Sequence, residues 1–131
     1  MAGITGFGGY VPRLRLQRKS VVEANGWFNP GLASLAKGER SMCNWDEDSL
    51  TMAVEAGRDC IGPKVPADLR AIYLASTTLP FADRQNATAA ATALDLGEEL
   101  KTVALTSTPR EGTSGLTEGL AGMGVRAGQV R

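Results

Sequence analysis

The sequence predicts an α/β fold built on a mostly parallel sheet, and three stretches carry that expectation. Residues 71–75 (AIYLA) form a short continuous apolar run, as in a strand covered on both faces. Residues 49–61 place Leu50, Ala53, Val54, Gly57, Cys60 and Ile61 on one side at helical spacing, with Thr51, Glu55 and Arg58 opposite. In 102–106, Val103 and Leu105 alternate with polar neighbours as in a strand; a Ser-Thr-Pro-Arg turn follows. Leu116, Leu120 and Met123 then recur at i, i+4 and i+7, one helix face. In chain order this reads as strand, helices, strand, helix, strand, helix, a parallel pattern with right-handed crossovers.

The remaining elements follow from local chemistry. Residues 3–10 (GITGFGGY) read as a first buried strand running into a glycine-rich turn where backbone approaches backbone. A dinucleotide fingerprint would lead directly into a helix, whereas Val11-Pro12 and the alternating Arg13-Leu14-Arg15-Leu16 come next. That alternation suits an extended segment with one face buried. Residues 17–24 are helix-compatible and are stopped by Asn25-Gly26, and a short helix is expected over 32–36. Trp27, Phe28 and Pro30 between them read as the plug of a small core or as the lining of a ligand tunnel. Asp46, Glu47 and Asp48 precede helix 49–61, where negative charge offsets the positive end of the helix dipole. Gly62-Pro63 ends that helix, and Cys60 falls on its core side as an inert thiol. After strand 71–75 a polar loop, 76–84, leads into an alanine-rich helix reaching about Leu96. The last helix carries Gly115, Gly119, Gly122 and Gly124, each costing up to ~1 kcal/mol against Ala, so it needs a neighbour to hold it.

Composition narrows the function. The 131 residues fit one domain, 1–131, and carry 14 basic and 14 acidic side chains, with no basic block. Nucleic acid and anionic membrane surfaces are therefore not expected partners, and with neither an apolar run of spanning length nor a leader pattern, a cytoplasmic location is expected. The chain has two cysteines and no histidine, so no zinc site and no Ser-His or Cys-His dyad can be assembled within it. Cys43 and Cys60 are expected as thiols.

Four stretches carry a family resemblance: GFGGYVPR, GERSMCNWDEDSLTMAVEAGRDC, IYLASTTLPFADRQNA and the strand-to-helix elbow KTVALTSTPREGTSGL. Together they resemble the thiolase superfamily, in particular β-ketoacyl synthase III and hydroxymethylglutaryl-CoA synthase. The resemblance implies a three-layer thiolase-like half domain, incomplete, corresponding to the N-terminal half of such an enzyme. It implies acyltransferase chemistry of lipid metabolism, Claisen-type C–C bond formation on an acyl thioester, with no cofactor and no metal. Matching Gly112 and Thr113 to the end of the family's elbow puts Pro109 where the nucleophilic Cys belongs, so no catalytic residue is carried over. The His and the Asn or second His of the family belong to the second half, which is missing here. Arg40 falls where the family contacts the phosphopantetheine of acyl-CoA or acyl carrier protein; alternatively it is a surface Arg pairing with Asp46 or Asp48. Phe81 and Arg84 fall in the loop that forms the family's dimer interface. The likeness is greatest to members that work with an OB-fold partner domain. The expected function is thus a fragment or non-catalytic subunit related to acyl-thioester condensing enzymes. The alternative is an interaction module that forms a homodimer or docks an OB-fold protein without binding acyl-CoA.

Overall fold

The computed structural model describes residues 3–126, and these form two compact units, 11–47 and 3–10 with 48–126. In the smaller unit, β1 (Leu14–Gln17) pairs antiparallel with β2 (Glu39–Met42), Leu16 opposite Arg40. Between them run α1 (Arg18–Asn25) and a 3-10 turn, Pro30–Leu35. The Gly26 amide closes α1 on the Val22 carbonyl at 2.7 Å, and the Asn29 side chain accepts from Gly31 N to start the 3-10 turn. Gly38, at φ +79°, makes the left-handed bend into β2 that a side chain would resist.

The larger unit contains the parallel pair. α2 (Ser49–Ile61) begins at Asp48, whose carboxylate accepts from Leu50 N and Thr51 N while the Thr51 hydroxyl accepts from Asp48 N, a reciprocal capping box. β3 (Ala71–Ala75) and β4 (Lys101–Leu105) pair in parallel, Ala71 opposite Lys101 and Ala75 opposite Leu105. α3 (Asn86–Ala93) crosses between them and α4 (Glu111–Arg126) follows β4. Strand alternation sorts the side chains into layers. Ile72, Leu74 and Ala104 join Leu50 and Val54 of α2 and Ala87 and Ala90 of α3 in the core. Tyr73, Ala75 and Leu105 face α4. The result is a three-layer α/β/α stack, as the resemblance implied. Arg58 of α2 reaches the Ala93 carbonyl at 3.3 Å, placing a cation on the C-terminal end of α3.

The glycines of α4 are its packing surface. A Cβ at Gly115 would meet Leu105 Cδ1 at 3.1 Å, and those at Gly119 and Gly122 would lie 3.9 and 3.7 Å from the Tyr73 ring and hydroxyl. Gly115, Gly119 and Gly122 thus form an i, i+4, i+7 stripe that lets the helix lie close against β3, the neighbour such a helix requires. The expected leucine face is turned the other way: Leu116 is 52% and Leu120 37% exposed. The Met123 side chain and residues 127–131 lie outside the described residues.

Four further expectations are corrected. Residues 3–13 form no strand; Gly6 and Gly8 lie along the last turns of α2, where a Cβ on Gly8 would sit 2.3 Å from Cys60 N and 2.7 Å from Ala56 O, and Gly9 N donates to Asp59 at 3.0 Å. Glycine-enabled backbone approach therefore exists here, but against a helix. Cys60 is exposed rather than buried. Trp27 and Phe28 are 84% and 78% exposed, their rings edge-on with centroids 5.9 Å apart, and plug no core; the Trp27 indole N–H donates to the Ala24 carbonyl. β3 is only partly covered, Leu74 alone being buried. The bounds of α2, β3 and β4 agree closely, but β2 (Glu39–Met42), antiparallel to β1, was not expected from the sequence, and α3 ends at Ala93 and not near Leu96. No helix among the described residues is long and apolar enough to cross a membrane.

Gly112→Ala is expected to raise stability by up to about 1 kcal/mol, because nothing lies within 4 Å of the added methyl. Gly115→Leu is expected to lower it by forcing α4 off β3. Chemical denaturation of the two variants checks the opposite signs.

Candidate functional site

Parallel pairing with Ala75 opposite Leu105 brings two connections to the same sheet end: loop 76–85 after β3 and turn 106–110 after β4. In open α/β sheets ligands sit beyond the carboxyl ends of the strands, which is the place these two segments occupy. Ser76 N extends the pairing by one bond to Leu105 O, 3.0 Å. The Ser49 hydroxyl at the head of α2 donates to Thr78 O, 2.6 Å, so α2 helps to hold the same loop.

Asn86 fixes the rest of that loop. It is 4% exposed, and its carboxamide accepts from Phe81 N at 3.1 Å and donates to Phe81 O at 2.8 Å. One side chain thus satisfies both backbone groups of Phe81 as a neighbouring strand would. Beside it the Gln85 amide donates to Thr102 O, 2.9 Å, and its oxygen accepts from the Thr88 and Thr102 hydroxyls, tying the start of α3 to β4. The loop so held presents the Arg84 guanidinium over the Phe81 ring, 4.8 Å from its centroid. Arg84 also bonds both oxygens of Asp83 at 3.2 Å. That guanidinium, with the backbone amide of Asp83 as a smaller cause, holds the Asp83 carboxyl below its ordinary range. All three residues remain open to water.

Turn 106–110 is exposed. Thr108 shapes it: its hydroxyl accepts from Arg110 N at 3.2 Å and its carbonyl from Glu111 N at 3.2 Å. Pro109 sits at the tip between them, one residue before Arg110, and Glu111 puts a carboxylate in the first turn of α4.

Of the residues singled out by sequence, Phe81 and Arg84 are brought into contact, and Pro109 lies at the same end of the sheet. Arg40 belongs to the smaller unit, on β2, in the lining of a cavity of about 480 Å³. It takes part in none of the ion pairs found among the described residues, which are Lys19–Glu23, Arg58–Glu55 and Arg84–Asp83. Asp48, one of its expected partners, is committed to the α2 cap. Sequence reasoning passed over Asn86, Gln85 and Arg18. An Asn at the mouth of an alanine-rich helix was a visible sign of a loop clamp, since a short amide there can reach back to backbone.

The three-layer stack is thiolase-like. A structure of MvaS in complex with 3-hydroxy-3-methylglutaryl coenzyme A superposes with TM-score 0.80 at 21% identity, covering 96% of this chain and 31% of that one. A 3-oxoacyl-(acyl-carrier-protein) synthase III gives 0.74 at 16% identity, covering 91% and 36%. No family model matches the sequence. By sequence, the hydroxymethylglutaryl-CoA synthase of Methanocaldococcus jannaschii is 34% identical over 122 residues, 88% of this chain and 34% of the relative. That of Aeropyrum pernix is 37% identical over 97 residues, 72% and 27%. The chain belongs to the thiolase superfamily, among its hydroxymethylglutaryl-CoA synthase-like and β-ketoacyl synthase III-like proteins, and spans about a third of the length of these curated relatives.

Asn86→Leu is expected to destabilise the chain by about 1–3 kcal/mol, since the backbone groups of Phe81 lose their partner, and to speed hydrogen exchange of the Phe81 amide first. Titration of Asp83 followed by NMR should give a midpoint below the ordinary carboxylate range that moves up in Arg84→Ala. Because the folded value is the lowered one, any stabilisation from the pair is present at neutral pH and fades as pH falls through that midpoint.

Proposed function

We propose that the chain is a fragment or non-catalytic subunit related to acyl-thioester condensing enzymes, binding an acyl thioester without forming an acyl-enzyme. The carrying observation is the elbow: β4, an exposed turn with Pro109 at its tip, and α4 starting at Glu111. At the position matched to the family's nucleophilic Cys, a prolyl residue offers neither a nucleophilic atom nor a backbone N–H. Glu111 in the first turn works against a developing anion at that helix start. The 131 residues also include no His, so proton transfer by imidazole, worth roughly 10²–10⁴-fold in rate, is not supplied by this chain. The similarity to hydroxymethylglutaryl-CoA synthases supports coenzyme A thioesters as the ligand class, with Arg40 as a contact to the phosphopantetheine arm.

A second reading is favoured by the Asn86 clamp. It holds Phe81, 39% exposed, and Arg84 as a preformed apolar and cationic pair, which suits a protein-docking surface for a second copy or an OB-fold partner.

Calorimetric titration with acetyl-CoA, intact-mass analysis and sedimentation of the same samples separate the two. Saturable binding that weakens in Arg40→Ala, with no mass added to the protein, is expected from the first reading. A covalent acetyl adduct on Cys43 overturns the assignment of the elbow. Association lost in Phe81→Ala and Arg84→Ala, with no acetyl-CoA binding, selects the second.

A further inference from the structure

The cavity of the smaller unit, about 480 Å³, has a lining of two kinds. Val21 and Val22 of α1 with Leu32 and Leu35 of the 3-10 turn make an apolar wall; Arg18 of α1 and Arg40 and Ser41 of β2 make a polar one. No carboxylate lines it. Arg18 N donates to Gly38 O at 3.0 Å, which holds the head of α1 beside the turn into β2 and so brings the two arginines to one cavity.

Their charges are not neutralised nearby. Of the four carboxylates of the same unit, Glu23 pairs with Lys19 at 3.6 Å, Glu39 accepts from the Gln17 amide at 2.8 Å and Glu47 accepts from Asn44 N at 2.7 Å, and Asp46 forms no ion pair with either arginine among the described residues. Neither Arg18 nor Arg40 enters an ion pair among the described residues. Guanidinium groups stay charged at any physiological pH. Two of them lining one cavity repel each other unless an anion lies between, and their planar forks suit a carboxylate or a phosphate. The four aliphatic side chains have the complementary use, covering a hydrocarbon body. The volume is that of a small-molecule site.

We propose that this cavity binds an amphiphilic organic anion: one carboxylate or phosphate-ester head held by Arg18, Arg40 and the Ser41 hydroxyl, and a short alkyl or acyl body against Val21, Val22, Leu32 and Leu35. The site shares Arg40 with the thioester reading but requires neither coenzyme A nor the elbow. It adds Arg18 and the apolar wall as determinants of what is accepted.

The test uses the full chain and four probes, octanoate, octyl phosphate, inorganic phosphate and 1-octanol, titrated by calorimetry and by methyl NMR. Octanoate or octyl phosphate is expected to bind at least about tenfold more tightly than either the bare ion or the neutral alcohol, because head and body act together. Whichever of the two binds better identifies the head. Arg18→Met and Arg40→Met should each weaken that binding by about tenfold; Leu35→Ser should weaken it without changing affinity for inorganic phosphate. Octanol binding as tightly as octanoate, inorganic phosphate as tightly as octyl phosphate, or no saturable binding of any probe to the wild-type chain overturns the proposal, whatever the variants do. Octanoate binding without acetyl-CoA binding leaves this site standing and removes the thioester reading; the reverse removes this site.

Discussion

The in-register parallel pairing of β3 with β4 is the constraint on which the larger unit rests. Parallel strands need a crossover, and α3 is that crossover, so the pairing decides that α3 and α2 lie over Ile72, Leu74 and Ala104 while α4 takes the Tyr73 side. It also decides that the loop carrying Phe81 and Arg84 and the turn carrying Pro109 leave the sheet at one end. A slip of one residue would exchange the two faces, presenting Tyr73 to the alanines of α3 and Leu74 to the glycines of α4.

Small residues make this arrangement workable. α3 contributes only alanines to the core, and α4 meets the sheet through glycines, so both helices approach closely. Close approach suits dispersion contacts but removes little apolar area from water per residue. The buried core accordingly contains no aromatic side chain, while Phe7, Trp27, Phe28 and Trp45 stand largely in solvent. Relatives of this chain are about three times as long.

Much of this was legible in the residues. Helix 49–61 was read with its bounds because an acidic run precedes it and Gly62-Pro63 ends it, both local signals; strand 71–75 was read because it is a short continuous apolar run. What failed depended on partners that local pattern does not reveal. The apolar residue between glycines at the start of 3–10 is compatible with a strand, but a strand needs a neighbour, and this segment instead lies on α2 through Gly8. Leucine periodicity in α4 named a real face and the wrong direction, since burial of the glycine stripe was decided by Tyr73 across the sheet. At the candidate site, Phe81, Arg84 and Pro109 came from family resemblance. Asn86, which organises the loop, was missed because a helix-opening Asn reads as a cap until its backbone partner is known.

The parallel sheet has only two strands among the described residues. Each of β3 and β4 is bonded along a single side, so among the described residues its other side carries peptide groups with no strand beside them. On β4 the outward Thr102 carbonyl is already taken by the Gln85 amide, which leaves β3 as the more open rail for an extended chain. Handling this protein at high concentration therefore invites ribbon-like growth from one molecule to the next, and an added peptide of strand-forming sequence would act as a chain terminator for that growth.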